Sequence, residues 1–207
     1  MTTANLFPIF LKLDGKRCLV VGAGPVGESK IRGLLETGAQ IQVIAPAVTD
    51  QVHEWSELGA VELQRRDFQT SDLDGVFLVV AATSSPVIND LIFSEAQRLN
   101  ILCNVVDVPD RCDFYYPALV RRGKLQIAIS TSGESPTLAQ RVKQELEIQF
   151  PPEYASWLHK IGRERRELLA SEKSPERRLQ RLRELSSDQS FVRYLKRTSK
   201  TQAKEHA

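Results

Sequence analysis

The sequence has no long apolar segment and few cysteines. Its longest apolar run, GVFLVVAA at residues 75–82, is far shorter than the roughly 20 residues that span a bilayer. No basic segment followed by an apolar core opens the chain, so we expect no secretory signal and no membrane partner. Cys18, Cys103 and Cys112 form no Cys-x-x-Cys pair, which argues against a disulfide framework. These absences predict a cytoplasmic protein.

Charge is unevenly distributed, although the net charge is only +2. Residues 151–207 hold 14 of the 28 Lys and Arg residues but only 8 of the 26 Asp and Glu residues. This basic tail begins at the helix breaker FPPE, residues 150–153, which we interpret as a domain boundary. Acids are interleaved with the bases, a pattern typical of amphipathic helices with salt-bridged outer faces. We therefore expect no nucleic-acid partner.

Short apolar segments alternate with amphipathic segments in the first half of the chain. Strands are predicted at 17–22, 41–46, 61–68, 75–83 and 101–107. Helices are predicted between them at 25–38, 49–59 and 85–100. Several of these strands, above all 75–83, are buried runs rather than alternating ones, as in a parallel sheet that is covered on both faces. The pattern predicts an α/β fold with a Rossmann-type parallel sheet.

The pattern changes after Asp107. Residues 114–131 predict two antiparallel strands joined by Arg-Arg-Gly, and Ser135-Pro136 predicts the start of a helix. Three further amphipathic helices are predicted beyond Pro151-Pro152. We expect a Rossmann domain over residues 1–113, a small α+β segment over residues 114–150 and a basic helical domain over residues 151–207.

Three glycines mark the turn between the first strand and the first helix. Gly22, Gly24 and Gly27 form a Gly-x-Gly-x-x-Gly motif. In dinucleotide-binding folds the first glycine permits the tight turn, the second admits the pyrophosphate and the third allows close helix–strand packing. The helix N-terminus then faces the phosphates with unpaired N–H groups. The motif in this context predicts a bound dinucleotide.

One part of the usual dinucleotide pattern is missing. An Asp or Glu ordinarily follows the second strand and holds the ribose hydroxyls. Here Ala45, Pro46 and Ala47 stand at that place, and no Arg or Lys is nearby that would favour the 2′-phosphate of NADP. We expect backbone contacts from Pro46 and Ala47 to hold the ribose.

Two related classes of protein are disfavoured. Short-chain dehydrogenases need a Tyr-x-x-x-Lys pair, and no tyrosine of this sequence has a lysine four residues later. A redox-sensing repressor would ordinarily carry a DNA-binding domain before the Rossmann unit, whereas the first predicted strand begins at Arg17. A non-catalytic dinucleotide-sensing module stays open as an alternative to an enzyme.

Three carboxylates follow the last strand of the series, at Asp107, Asp110 and Asp113. Ligands of open α/β sheets bind beyond the carboxyl ends of the strands, which is where Asp107 would lie. We interpret Asp107 as a candidate general base and the other two acids as turn residues. The three histidines are scattered and no Cys/His cluster is present, so we expect no fixed metal site.

Several segments resemble the precorrin-2 dehydrogenase family, whose members include bifunctional dehydrogenase/ferrochelatases and the N-terminal part of siroheme synthases. The resemblance covers roughly residues 5–150. Its segments are FPIFLKLDGKRCLVVGAGPVGESKIRGLLETGAQIQVIAP, AATSSPVIND, CNVVD and FYYPALVRRGKLQIAISTSGESPTLAQRVKQELE.

The resemblance implies a reaction and a site. It implies NAD-dependent dehydrogenation of precorrin-2 to sirohydrochlorin, in siroheme or cobalamin synthesis, by a homodimer that dimerises through the segment 114–150. Insertion of ferrous iron, as in some members, stays open. Asp107 matches the aspartate that the family requires for activity. The cofactor contacts carry over to Gly22, Ala23, Gly24, Pro25, Val26, Pro46 and Ala47.

Carboxylate groups of such a tetrapyrrole would need cationic or hydrogen-bonding partners. Ser130, Thr131 and Ser135 flank a predicted helix N-terminus, a geometry that holds anions. Arg111 lies in the loop after Asp107, and its guanidinium suits bidentate pairing with a carboxylate. We therefore expect these four residues to contact the substrate, with helix capping as an alternative role for Ser135 and a solvated surface charge as the alternative for Arg111.

Overall fold

The computed structural model describes residues 5–205, with side-chain surroundings through residue 198. Its contacts divide the chain into two compact units, Met1–Tyr116 and Pro117–Ala207. The division at residues 113 and 150 that we expect from the sequence stays a prediction. No helix within residues 5–205 is both long enough and apolar enough to cross a bilayer.

The first unit is an alternation of strands and helices. In chain order its elements are β1 (Arg17–Ala23), α1 (Pro25–Leu35), β2 (Gln40–Val48), α2 (Asp50–Glu57), β3 (Glu62–Gln64), β4 (Leu78–Ala81), α3 (Pro86–Leu99) and β5 (Leu102–Val105). All strand pairs are parallel, in the order β3-β2-β1-β4-β5. The strand order reverses between β1 and β4, and open α/β sheets bind ligands at this point. The predicted Rossmann-type sheet is confirmed.

Alternate residues of the central strands build two cores on opposite faces of the sheet. On β1, Cys18 and Val20 pack into one core together with Ile31 of α1. Leu19 and Val21 pack into the other core, which includes Ile92 of α3. Because both faces are covered, the strands carry an unbroken apolar run instead of an alternating one.

The third strand is shorter than the sequence predicts. It pairs with β2 only from Gln42↔Glu62 to Ile44↔Gln64, whereas we expect a strand over residues 61–68. After Gln64 the chain turns, with the Arg66 N–H donating to the Gln64 carbonyl over 3.1 Å. Residues 66–68 therefore form a loop at the carboxyl edge of the sheet, beside the end of β2.

The second unit consists of a hairpin and four helices. Its elements are β6 (Ala118–Arg122), β7 (Leu125–Ile129), α4 (Pro136–Gln149), α5 (Tyr154–Ser171), α6 (Pro175–Leu185) and α7 (Asp188–Glu205). The two strands are antiparallel and are joined through Gly123, whose φ of +59° suits glycine. The predicted hairpin and helices are confirmed.

Aromatic packing holds the helices of the second unit. Tyr154 and Trp157 of α5 contact Phe191 of α7, with ring centroids 4.4 Å and 4.9 Å from that of Phe191. The Tyr194 hydroxyl also lies 2.8 Å from the Ser156 hydroxyl. These contacts explain why a strongly charged tail folds as packed helices.

Candidate dinucleotide-binding site

A cavity of about 660 Å³ lies at the carboxyl edge of the parallel sheet. This volume falls within the roughly 300–1,000 Å³ typical of cofactor and small-molecule sites. Its lining draws on the carboxyl-terminal parts of the strands of the first unit and on the segments that follow them, and it includes every residue that we expect to contact the cofactor, together with Asp107. Those cofactor residues are Gly22, Ala23, Gly24, Pro25, Val26, Pro46 and Ala47.

Two of the three motif glycines are needed by the fold itself. Gly22 has a φ of +95°, and a Cβ there would overlap the carbonyl of Ala82. A Cβ on Gly27 would overlap the carbonyl of Gly22, which shows how closely α1 packs on the turn. Both observations agree with the turn and packing roles that the motif implies.

The second motif glycine borders open space. A Cβ on Gly24 would meet no atom within 4 Å, so the fold alone does not require glycine there. Gly24 is the N-cap of α1 and provides no side-chain hydrogen bond to the helix. The N–H groups of Val26 and Gly27 in the first turn lack intrahelical acceptors and lie at the positive end of the helix dipole. The loop thus fits a pyrophosphate, which needs backbone N–H donors at close range.

Asp107 lies at the opposite side of the cavity from the end of β2. The preceding Val106 continues the sheet through an N–H that donates to the Ala81 carbonyl over 3.0 Å. Asp107 itself has a φ of +62°, a left-handed conformation that Asp and Asn adopt more readily than other non-glycine residues. This turn leaves the carboxylate exposed in the cavity lining.

A lysine that the sequence did not single out lies near this carboxylate. Lys30 of α1 is half-buried, with its Nζ 4.0 Å from the ring centroid of Tyr116. Burial lowers the pKa of Lys30, and the negative charge of Asp107 partly opposes that effect. In the sequence, Lys30 could have been identified only from its place on the helix that follows the glycine loop.

The other two acids of the loop differ from Asp107. The Asp113 carboxylate accepts the Cys103 N–H of β5 over 2.8 Å and the Gln97 side-chain amide over 3.0 Å. It therefore ties the loop back to the sheet and α3. Asp110 lies in a short 3-10 turn, Pro109–Arg111. Within residues 5–205, no group of three or more His, Cys, Asp or Glu side chains is placed to hold a metal ion.

The four predicted substrate residues lie outside the lining of this cavity. Arg111 forms an ion pair with Asp90 of α3. The Thr131 hydroxyl accepts the Ser135 N–H over 3.2 Å, and the Ser135 hydroxyl accepts the Leu138 N–H over 3.2 Å. Ser135 is thus the N-cap of α4, as the sequence indicates, and Ser130 accepts the Ser132 N–H in the same turn. Their contact with a substrate stays a prediction.

The sequence has no Arg or Lys close to the end of β2, but the structure places an arginine there. Arg66 lines the cavity together with Pro46 and Ala47, because β3 ends at Gln64 and the chain turns there. Its guanidinium pairs with the Asp72 carboxylate through Nη1 (2.8 Å) and Nη2 (2.5 Å). It also donates to the Gln64 side chain and to the Asp67 carbonyl. All five guanidinium N–H groups are therefore engaged within the chain.

The ion pair between Arg66 and Asp72 should contribute to the stability of the fold. Hydrogen bonding to Arg66 lowers the pKa of Asp72 below its usual value, against an opposing effect of burial. The ion pair therefore stabilises the fold above the unfolded-state pKa, about 3.9, and this contribution is lost as the pH falls through the folded-state pKa. We expect Asp72→Asn to lower the free energy of unfolding by about 2 kcal/mol at neutral pH.

Urea unfolding at several pH values measures this effect. The difference between wild type and Asp72→Asn should shrink as the solution is acidified below the unfolded-state pKa. The matched control is Asp74→Asn, because Asp74 is an exposed acid two residues further along the same segment. An equal loss of stability in both variants would contradict the assignment.

The fold and the cavity define a dinucleotide-binding protein of the Rossmann class. A family model described as putative NAD(P)-binding matches residues 9–118, and one described as sirohaem biosynthesis protein central matches residues 122–149. The chain therefore belongs to this putative NAD(P)-binding family, in agreement with its resemblance to precorrin-2 dehydrogenases and siroheme synthases.

Individual relatives agree with this membership. The chain is 40% identical over 147 residues to siroheme synthase 2 of Yersinia enterocolitica, covering 71% of this chain and 31% of that protein. It is 40% identical over 150 residues to the siroheme synthase of Pseudomonas entomophila, covering 72% and 32%. The chain thus spans about a third of the length of these relatives.

One solved structure is similar over nearly the whole chain. It is described as SirC, precorrin-2 dehydrogenase, and superimposes with a TM-score of 0.79 at 29% identity. The alignment covers 98% of this chain and 100% of that chain. Both units of the present chain therefore have counterparts in that structure.

Proposed function

We propose that this protein is an NAD-dependent precorrin-2 dehydrogenase that forms sirohydrochlorin. One observation carries the proposal: the exposed Asp107 carboxylate lies in the same cavity as the Gly22–Val26 loop. The similarity to a precorrin-2 dehydrogenase over 98% of the chain supports it. The siroheme synthases support the same pathway, although only through about a third of their length.

Dehydrogenation removes a hydride and a proton from the reduced tetrapyrrole. When bound, NAD accepts the hydride at its nicotinamide ring. In our proposal an Oδ atom of Asp107 accepts the proton. The electron pair of one broken bond leaves with the hydride, and the pair of the other forms the new double bond. Lys30 places a positive charge near that carboxylate. The products are sirohydrochlorin, NADH and one proton.

The remaining parts of the proposal follow from the resemblance. Ser130, Thr131, Ser135 and Arg111 are proposed to contact substrate carboxylates. A homodimer is proposed as the working form, and light scattering of the purified protein measures its mass directly. Ferrous iron insertion into the product is a further activity that the family resemblance leaves open.

A single assay separates these activities. The purified protein is incubated with precorrin-2 and NAD, and the absorbance of NADH and of the tetrapyrrole is followed before and after addition of ferrous iron. We expect NADH and sirohydrochlorin in equal amounts. Conversion to siroheme faster than without protein would add ferrochelatase activity. Tight NAD binding without turnover would contradict the dehydrogenase and favour the dinucleotide-sensing module.

A further inference from the structure

The cavity lining holds two acidic side chains, one on each side of the glycine loop. Asp107 follows β5, and Asp67 follows β3. Since the strand order is β3-β2-β1-β4-β5, Asp67 lies next to the end of β2, where the adenosine ribose sits in Rossmann-type folds. This is the place where the sequence has Ala45, Pro46 and Ala47 instead of an acid.

We propose that Asp67 recognises the adenosine ribose hydroxyls and makes the site select NAD over NADP. The acid that is missing at the end of β2 is thus replaced by one from the loop that follows the adjacent strand β3. The strand register supports this replacement, because Ile44 of β2 pairs with Gln64 of β3. The loop that follows Gln64 then contributes Arg66 and Asp67 to the same cavity lining as Pro46 and Ala47.

The surroundings of Asp67 hold its backbone while leaving its carboxylate available. Arg66 donates to the Asp67 carbonyl over 3.0 Å, and Arg66 is itself fixed by Asp72 and Gln64. Asp72 in turn accepts the Gln69 N–H over 2.8 Å, which closes the loop. Asp67 is exposed, and within the part of the chain that the structure describes no side-chain hydrogen bond or ion pair of Asp67 is found.

The same cluster explains why a 2′-phosphate would be disfavoured. The Asp67 carboxylate would repel the phosphate, whereas it would accept hydrogen bonds from two ribose hydroxyls. Arg66 is the one basic residue in the lining of this cavity within residues 5–205. It offers no compensation, since its five N–H groups are engaged and Asp72 balances its charge.

Binding measurements on Asp67→Asn test this inference, which rests on the proposed function only through the use of a dinucleotide. Calorimetric titrations of the whole protein with NAD and with NADP give the dissociation constants. We expect wild type to favour NAD by about tenfold or more, and Asp67→Asn to lower this preference by about tenfold. Asp74→Asn is the control, with the same charge change at an exposed site outside the cavity lining, and should keep the wild-type ratio.

The outcomes separate this inference from the proposed function. A wild-type protein that binds neither dinucleotide overturns both. Wild-type NAD binding together with an unchanged NAD/NADP ratio in Asp67→Asn overturns the role of Asp67 alone. Thermal unfolding of each variant is recorded in parallel, and we expect the wild-type midpoint because the Asp67 carboxylate makes no contact that the fold needs.

Discussion

Replacing Asp107 with asparagine should reduce kcat for precorrin-2 dehydrogenation by about a hundredfold or more while NAD binding stays close to that of wild type. General bases contribute on the order of 10²–10⁴ to such rates, and an amide cannot take the proton. Asparagine is the appropriate replacement because it tolerates the left-handed backbone of this position, φ +62°. Stopped-flow measurement of NADH formation, with calorimetric NAD titration alongside, gives both quantities.

Asp110→Asn is the matched control for this experiment. Asp110 is an exposed aspartate three residues further along the same loop, and it lies outside the cavity lining. We expect it to keep the wild-type kcat. If Asp107→Asn turned over precorrin-2 at the wild-type rate, Asp107 would be a turn residue, and the proton would have to leave by another route.

The sheet could be predicted because its strands differ in composition from the surrounding chain. β1, β4 and β5 lie within largely apolar runs that are bounded by polar residues or glycine, and each strand is confirmed. The end of β3 could not be predicted in the same way. VELQRRDF suits a strand by composition, but Arg66 forms its bonds with Asp72, which lies six residues further along in the next 3-10 turn, Thr70–Leu73. Local propensity therefore extends this strand past Gln64, where the structure ends it.

The candidate site could be predicted where backbone geometry dictates the residue type. The roles of Gly22 and Gly27 follow from a motif whose steric reasons hold in the structure. Lys30 and Asp67 were not predicted, because a single Lys or Asp on a helix or loop is ordinarily a solvated surface charge. Their positions become apparent only in three dimensions, where Asp67 lines the cavity and the charge of Lys30 interacts with that of Asp107.

Gly24→Ala should weaken NAD binding on the order of a hundredfold, about 2.8 kcal/mol, while the free energy of unfolding changes by less than about 1 kcal/mol. The reason is that ligand binding requires glycine at this position, whereas the fold does not. Gly24 has an extended backbone that alanine also adopts, φ −72° and ψ −173°, and its Cβ would enter open space. We expect the methyl group to meet instead a pyrophosphate that lies against the N-terminus of α1.

Two further glycine variants make this prediction specific. Gly33→Ala, in the exposed interior of α1 where a Cβ also meets nothing within 4 Å, should keep NAD binding and stabilise the fold by about 0.5–1 kcal/mol. Gly22→Ala should instead destabilise the fold itself, since its Cβ would overlap the Ala82 carbonyl at a φ of +95°. Calorimetric titration and urea unfolding of all three variants measure both properties. If Gly24→Ala bound NAD as wild type does, the pyrophosphate could not lie against this turn, and the cavity would have to hold its ligand in another way.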